Sequence, residues 1–122
     1  MTYIRFVVGI ETESAHVQTG LFTEINTLKQ DGELMDYEEK MVQDTFDFYN
    51  EHLPVPPYEE KKLSKDAVAW FKDSADQFIE KMWDFVAILE NNDVHVRILK
   101  TDKPGMIVYE DRYQILAKSK KF

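Results

Sequence analysis

The chain has 122 residues, 15 Lys+Arg against 23 Asp+Glu, and a net charge of −8, with 43% hydrophobic and 13% aromatic side chains. One domain over residues 1–122 suits that length, and eight Phe, six Tyr and two Trp exclude a disordered tail. No apolar run approaches the ~20 residues of a membrane span, and the absence of cysteine excludes disulfides, thiolate metal sites and cysteine nucleophiles. The N-terminal apolar stretch lacks a basic leader and a small-residue cleavage site, so the expectation is a soluble, cytoplasmic protein. Charge is unevenly placed: residues 1–63 hold 13 acidic and 5 basic side chains, whereas 64–122 hold 10 of each. Such asymmetry bears on partners and self-association rather than on fold.

Thr2 to Ile10 alternates Ile4, Phe6 and Val8 with Tyr3, Arg5 and Val7, the period of a half-buried strand. Glu11 to Gln18 is polar and aperiodic. From Gly20, with Thr19 as a capping oxygen, Leu21, Phe22, Ile25 and Leu28 recur at helical spacing until Asp31-Gly32. Leu34 to Leu53 predicts a second helix with Leu34, Tyr37, Met41, Thr45, Phe48 and Tyr49 on its inner face, ended by Pro54. Pro54-Val55-Pro56-Pro57 reads as a stiff spacer.

Ser64 is a plausible N-cap with Asp66 in the first turn, and Val68, Phe71, Ala75, Phe78, Ile79, Met82, Val86 and Leu89 follow at intervals of three and four. The spacing predicts one unbroken helix of about twenty-five residues, ~37 Å long, stopping at Asn91-Asn92. Trp70 and Ile88 fall off its apolar stripe, and Trp83 at its edge. Val94 to Leu99 alternates as a strand, Asp102-Lys103-Pro104-Gly105 supplies a type II turn for a hairpin, Met106 to Tyr109 returns, and Arg112 to Lys118 is a final strand after Glu110-Asp111. The expected fold is α+β: two layers, a small mostly antiparallel sheet of about four strands covered on one face by three helices, in the order β-α-α-α-β-β-β.

Chemistry-bearing patterns are sparse. His16, His52 and His95 lack metal-ligand spacing, the four glycines are isolated, and no serine sits in a nucleophile elbow, so no metal or cofactor is expected. Glu11 and Glu13 follow the first strand two residues apart, and His95, Tyr109, Asp111 and Tyr113 converge if the two hairpins form; these residues and the off-stripe Trp70 are the candidate ligand or interface positions. Asp73, Asp76, Glu80 and Asp84 share one helix face, a candidate docking ridge for a basic protein. Net −8 opposes direct nucleic-acid binding. The expectation is a non-catalytic interaction module, self-associating as a homodimer and with no membrane role. The alternatives are a small-molecule binder or enzyme with a pocket between the long helix and the sheet, and an acidic mimic of nucleic acid.

Overall fold

The computed structural model describes residues 1–11, 16–57 and 67–118 and, for residues 9–11 and 16–19, the backbone alone. Its elements are β1 (Tyr3–Glu11), β2 (His16–Gly20), α1 (Leu21–Gln30), α2 (Asp36–His52), β3 (Val68–Lys72), α3 (Asp76–Asn91), β4 (Arg97–Thr101), β5 (Met106–Glu110) and β6 (Gln114–Lys118). The fold is α+β, an antiparallel sheet with three helices. To the expected succession β-α-α-α-β-β-β the structure adds two strands, β2 and β3. Five strands follow the hydrogen-bonded path β2-β1-β3-β6-β5, and β4 pairs with β1.

The third helix differs most from expectation. Its first half is strand β3, and α3 begins only at Asp76, after a turn through Asp73 and Ser74. Val68, Phe71 and Ala75 mimic a helical stripe, but Val68-Ala69-Trp70-Phe71-Lys72 also suits a pleated strand, and tertiary pairing decides the outcome. Val68 to Phe71 pairs with Ala117 to Gln114, and Tyr3-Ile4 takes the other edge at Lys72-Phe71. The Lys72 amide donates to the Tyr113 carbonyl at 2.8 Å, and the Asp73 amide to Thr2 at 3.0 Å. Trp70 is off-stripe because it is not helical: it stands opposite Ile115 in the sheet. The proposed cap Ser64 and first-turn Asp66 lie outside the described residues, as do Glu13 and the lysines beyond residue 118.

Val7 pairs with both Gly20 and Arg97, and Tyr3 with both Lys72 and Thr101. A residue has two edges, so β2 and β3 occupy successive halves of one edge of β1, and β4 takes the other. All pairings are antiparallel; four such steps from β4 through β1, β3 and β6 to β5 leave β4 and β5 running in the same direction. The expected Pro-Gly hairpin between them is therefore absent. In a flat sheet they would lie about 19 Å apart across the strands alone, whereas the chain from Thr101 to Met106 reaches at most about 18 Å. The sheet therefore curves, so that residues 102–105 carry the chain from β4, paired with β1, to β5, paired with β6. Gly105, at φ 111°, turns that corner.

The helices cover the face bearing Ile4, Phe6 and Phe71. Phe78, Phe85, Leu89, Leu21, Ile25 and Val42 form the centre of the core, with Phe78 edge-on to Tyr113 at 4.8 Å between ring centroids and parallel to Phe71 at 6.4 Å. Ile88, expected on the polar side, is buried, and Trp83 is exposed. Helix α2 is rotated about one residue from expectation: its inner face is Glu38, Val42, Thr45 and Tyr49, leaving Tyr37 and Met41 outside. Glu38 is only 3% exposed. It accepts the Met35 amide at 3.0 Å and the Asn92 side-chain amide at 3.2 Å, linking the start of α2 to the end of α3. Among the described residues no helix is long and apolar enough to cross a membrane.

Candidate functional site

The β1–β3 ladder is only two pairs long, Tyr3↔Lys72 and Ile4↔Phe71. The next pair in that register is Arg5 with Trp70, but there the strands part, because β2 claims the rest of that edge of β1 from Val7 onward. The parting leaves a cavity of about 130 Å³. Arg5, Phe6, Ala69 and Trp70 line it at the fork, Gly20, Leu21 and Phe22 where β2 becomes α1, and Leu53, Met82 and Gln114 around the rest. Its walls are chiefly apolar, and both strand and helix residues contribute to them.

Three polar groups stand at this wall. Gln114 is committed: its amide donates to the Pro54 carbonyl at 2.7 Å and to Asp111 at 3.1 Å, tying the proline spacer to β6. Trp70 is not. Its indole Nε1 is buried and, among the described residues, has no hydrogen-bond partner, a state native proteins avoid unless a water or ligand completes it. Arg5 is partly buried, and desolvation holds its guanidinium pKa below the ordinary value. No carboxylate among the described residues forms an ion pair with it.

Strand parity places Arg5 and Trp70 together on the face turned from the helices, with Val7, Leu99, Ile115 and Lys72. Val7, Ile115 and Ala117 are fully buried there, the physical sign of a coiled sheet whose second face is not left to solvent. Lys72 is ion-paired with Glu110 across this face.

Of the positions singled out from sequence whose side chains are described, Trp70 alone lines the cavity. Glu11 ends β1 opposite His16, its side chain outside the description, and Glu13 lies outside the described residues. His95 is exposed in the loop before β4 and does not join Tyr109, Asp111 and Tyr113. Those three do meet, around the β5–β6 turn, as a structural knot. Asp111 accepts the amides of Tyr113 at 2.8 Å and Gln114 at 3.0 Å, and the Tyr109 hydroxyl at 2.9 Å. With the Gln114 side chain this occupies both its oxygens. Tyr113 also borders a shallow hollow with Ser74, Asp76, Gln77 and Arg112.

The acidic ridge is shorter than expected. Asp73 sits in the turn before α3, and Asp76, Glu80 and Asp84 continue along the helix at four-residue steps. Lys81 interrupts them, its ammonium 5.4 Å from the Phe48 ring centre. Asp84 faces the buried Tyr49, whose hydroxyl donates to the Phe78 carbonyl. Burial first, and the charge of Asp84 second, raise the Tyr49 pKa above its ordinary value. Among the described residues no three His, Asp or Glu side chains gather as a metal site.

Sequence reasoning missed Arg5. The available signal was a cation on the Tyr3, Arg5, Val7 face of an otherwise apolar strand. No protein-family model, curated protein or solved structure matches the chain.

Proposed function

We propose that the domain binds a small, largely apolar molecule carrying at least one hydrogen-bond acceptor in the cavity at the β1–β3 fork. The observation that carries this reading is a chiefly apolar cavity of about 130 Å³ with Trp70 in its wall, a residue whose buried indole Nε1 has no hydrogen-bond partner among the described residues. A cavity near ~150 Å³ holds one benzene-sized ring. Leaving a buried donor unmade costs about 1–3 kcal/mol, which an acceptor on the ligand recovers. At about 0.5–0.75 kcal/mol per non-hydrogen atom, within the usual bounds for small ligands, a ligand of about nine such atoms reaches a Kd of roughly 10 μM to 0.5 mM.

The test is a methyl-resolved NMR titration of the whole chain with acetophenone and cyclohexanone. Saturable shifts at the methyl groups of Leu21, Leu53 and Met82 support the reading. A Cβ built on Gly20 meets nothing within 4 Å, so a longer side chain is accommodated beside the cavity. Gly20→Met should fill that space and remove the shifts in a protein that remains folded. Unchanged binding by Gly20→Met, or no saturable shift in the parent chain, rejects the reading.

Self-association is a second reading, favoured by Trp83. It is 49% exposed on α3 and packs edge-on against Phe6 at 5.6 Å, while Ile98, 38% exposed, pairs with Phe6 in the neighbouring strand. A second copy covering Trp83 and Ile98 gives a homodimer in sedimentation equilibrium that Trp83→Ala converts to monomer. A monomeric parent chain at about 100 μM removes this reading.

A further inference from the structure

We propose that the groove between α2 and α3, on the outer side of the helix layer, docks a basic amphipathic helix of a partner protein. That groove shares no lining residue with the cavity at the β1–β3 fork and stands independently of it.

Glu38, in the first turn of α2, meets Asn92 at the end of α3, and Tyr49, in the last turn of α2, meets Phe78 in the first turn of α3, so the two helices run antiparallel. Tyr37, Met41, Asp44 and Phe48 fall within about 60° of arc on α2. That row is the flank beside the outer side of α3, because Phe48 packs on Phe78 at 5.6 Å and lies beneath the Lys81 ammonium. At the Phe48 end, a hollow of about 280 Å³ between the helices is bordered by Phe48, Gln77, Glu80, Lys81 and Asp84. At the other end Tyr37 and Met41 are 58% and 36% exposed, although they continue the row of the half-buried Phe48. Tyr37 to Phe48 spans about 16 Å, the length of three helical turns.

Exposed tyrosine and methionine one turn apart suit a helix-in-groove contact, Tyr as a rigid anchor and Met as an adaptable one. The charge around them selects the partner. Asp44 lies in the row itself, and Glu80 and Asp84 border the hollow across from Phe48. Lys81, the cation of the hollow, is already placed over the Phe48 ring, 5.4 Å from its centre. Lys40 has Asp36 and Asp44 at four-residue steps on either side. A second copy of the chain is a poor occupant, since a two-fold contact through this face sets these carboxylates against themselves. A helix with apolar residues on one side and Lys or Arg along both flanks covers Tyr37 and Met41 and meets Asp44 on one rim and Glu80 and Asp84 on the other. The net charge of −8 steers such a segment toward the chain.

The experiment is fluorescence anisotropy of the whole chain with three labelled peptides of about fifteen residues: Leu and Lys at helical spacing, the same peptide with Glu for each Lys, and the Leu/Lys composition in alternating order, which favours a strand. The parent should bind the helical Leu/Lys peptide with a Kd of roughly 1–100 μM, at least about fivefold tighter than the alternating peptide and about tenfold tighter than the Glu peptide. Binding should weaken several-fold as NaCl rises. Tyr37→Ala and Met41→Ala, both at exposed positions, should each weaken it about threefold or more. Glu80→Lys should weaken it about tenfold, whereas Glu90→Lys, an equal charge change at an exposed position on the opposite flank of α3, should stay within about twofold. Absence of binding overturns the proposal, as does equal binding of the two Leu/Lys peptides or an equal loss from Glu80→Lys and Glu90→Lys, either of which reduces the effect to charge alone. Sedimentation equilibrium of the parent chain should show no association that Met41→Ala abolishes; such an association assigns this face to a second copy instead.

Discussion

Replacing Phe78 and Trp83 by alanine, two aromatic residues five positions apart on α3, separates the inner face of that helix from its outer one. Phe78 is fully buried. Its ring lies 4.8 Å from Tyr113, 5.6 Å from Phe48 and 5.8 Å from Tyr49, so truncation opens a void with walls in the β5–β6 turn and α2 that cannot close together. Phe→Ala in such a place costs about 3–5 kcal/mol. Against a total of about 5–15 kcal/mol for a domain of this size, Phe78→Ala should be marginally folded, with Tm lower by roughly 10–20 °C. Trp83 keeps half its surface in water and, among the described residues, has one ring contact, with Phe6. Trp83→Ala should cost about 1 kcal/mol. Urea unfolding followed by far-UV circular dichroism measures both, and an unchanged m-value certifies that the comparison concerns stability alone. Equal losses, or a larger loss for Trp83, would refute the phase assigned to α3 and with it the packing beneath the cavity.

The other predictions concern single polar groups. Glu38→Ala should destabilise by about 1.5–3 kcal/mol because Met35 and Asn92 lose a charged acceptor, whereas Tyr37→Ala and Met41→Ala, on the outer face, should stay within about 0.5 kcal/mol; chemical denaturation of the three variants decides which face of α2 is inner. Asp111→Ala should cost about 2–4 kcal/mol and shift the amide resonances of Tyr113 and Gln114, since it removes four accepted hydrogen bonds at one turn; a neutral result contradicts the structural role given to that carboxylate. Tyr49 keeps its proton in the folded chain at pH values where the unfolded chain, near pH ~10, releases it. Its contribution is therefore complete below about pH 10 and declines as pH rises above it. Tyr49→Phe should flatten the alkaline limb of a stability–pH curve while lowering neutral-pH stability by about 0.5–1.5 kcal/mol; an alkaline limb of equal slope in the variant rules out Tyr49 as its source.

Much of the architecture is legible where one period dominates. Ile4, Phe6 and Val8 announce β1, Leu21 and Ile25 announce α1, and Phe78, Met82, Val86 and Leu89 announce the real α3. Legibility ends where two periods coincide or where pairing, rather than pattern, decides. Val68, Phe71 and Ala75 satisfy a helical spacing that the β1 and β6 edges override. β2 is an edge strand whose polar His16-Val17-Gln18-Thr19 carries no alternation to read. The inner phase of α2 is set by Glu38, a residue no apolar pattern would place inside, and it turns Tyr37 and Met41 outward. The Pro104-Gly105 pair does mark a bend, but the partners of β4 and β5 depend on sheet order, to which local turn chemistry is blind. The site was hidden for the same reason. Trp70 is conspicuous as a helical misfit, yet its meaning depends on β3 existing, and Arg5 gains its unmatched charge from burial that only the coiled sheet creates.

The central claim, that the fork between β1 and β3 is a binding cavity, is tested most directly by intermolecular NOEs from the protons of bound acetophenone. The account predicts NOEs to the methyl groups of Leu21, Leu53 and Met82 and a downfield shift of the Trp70 indole proton as it donates to the ketone. NOEs confined to the exposed Met106 and Ile107, with the Trp70 resonance unmoved at saturation, would contradict it.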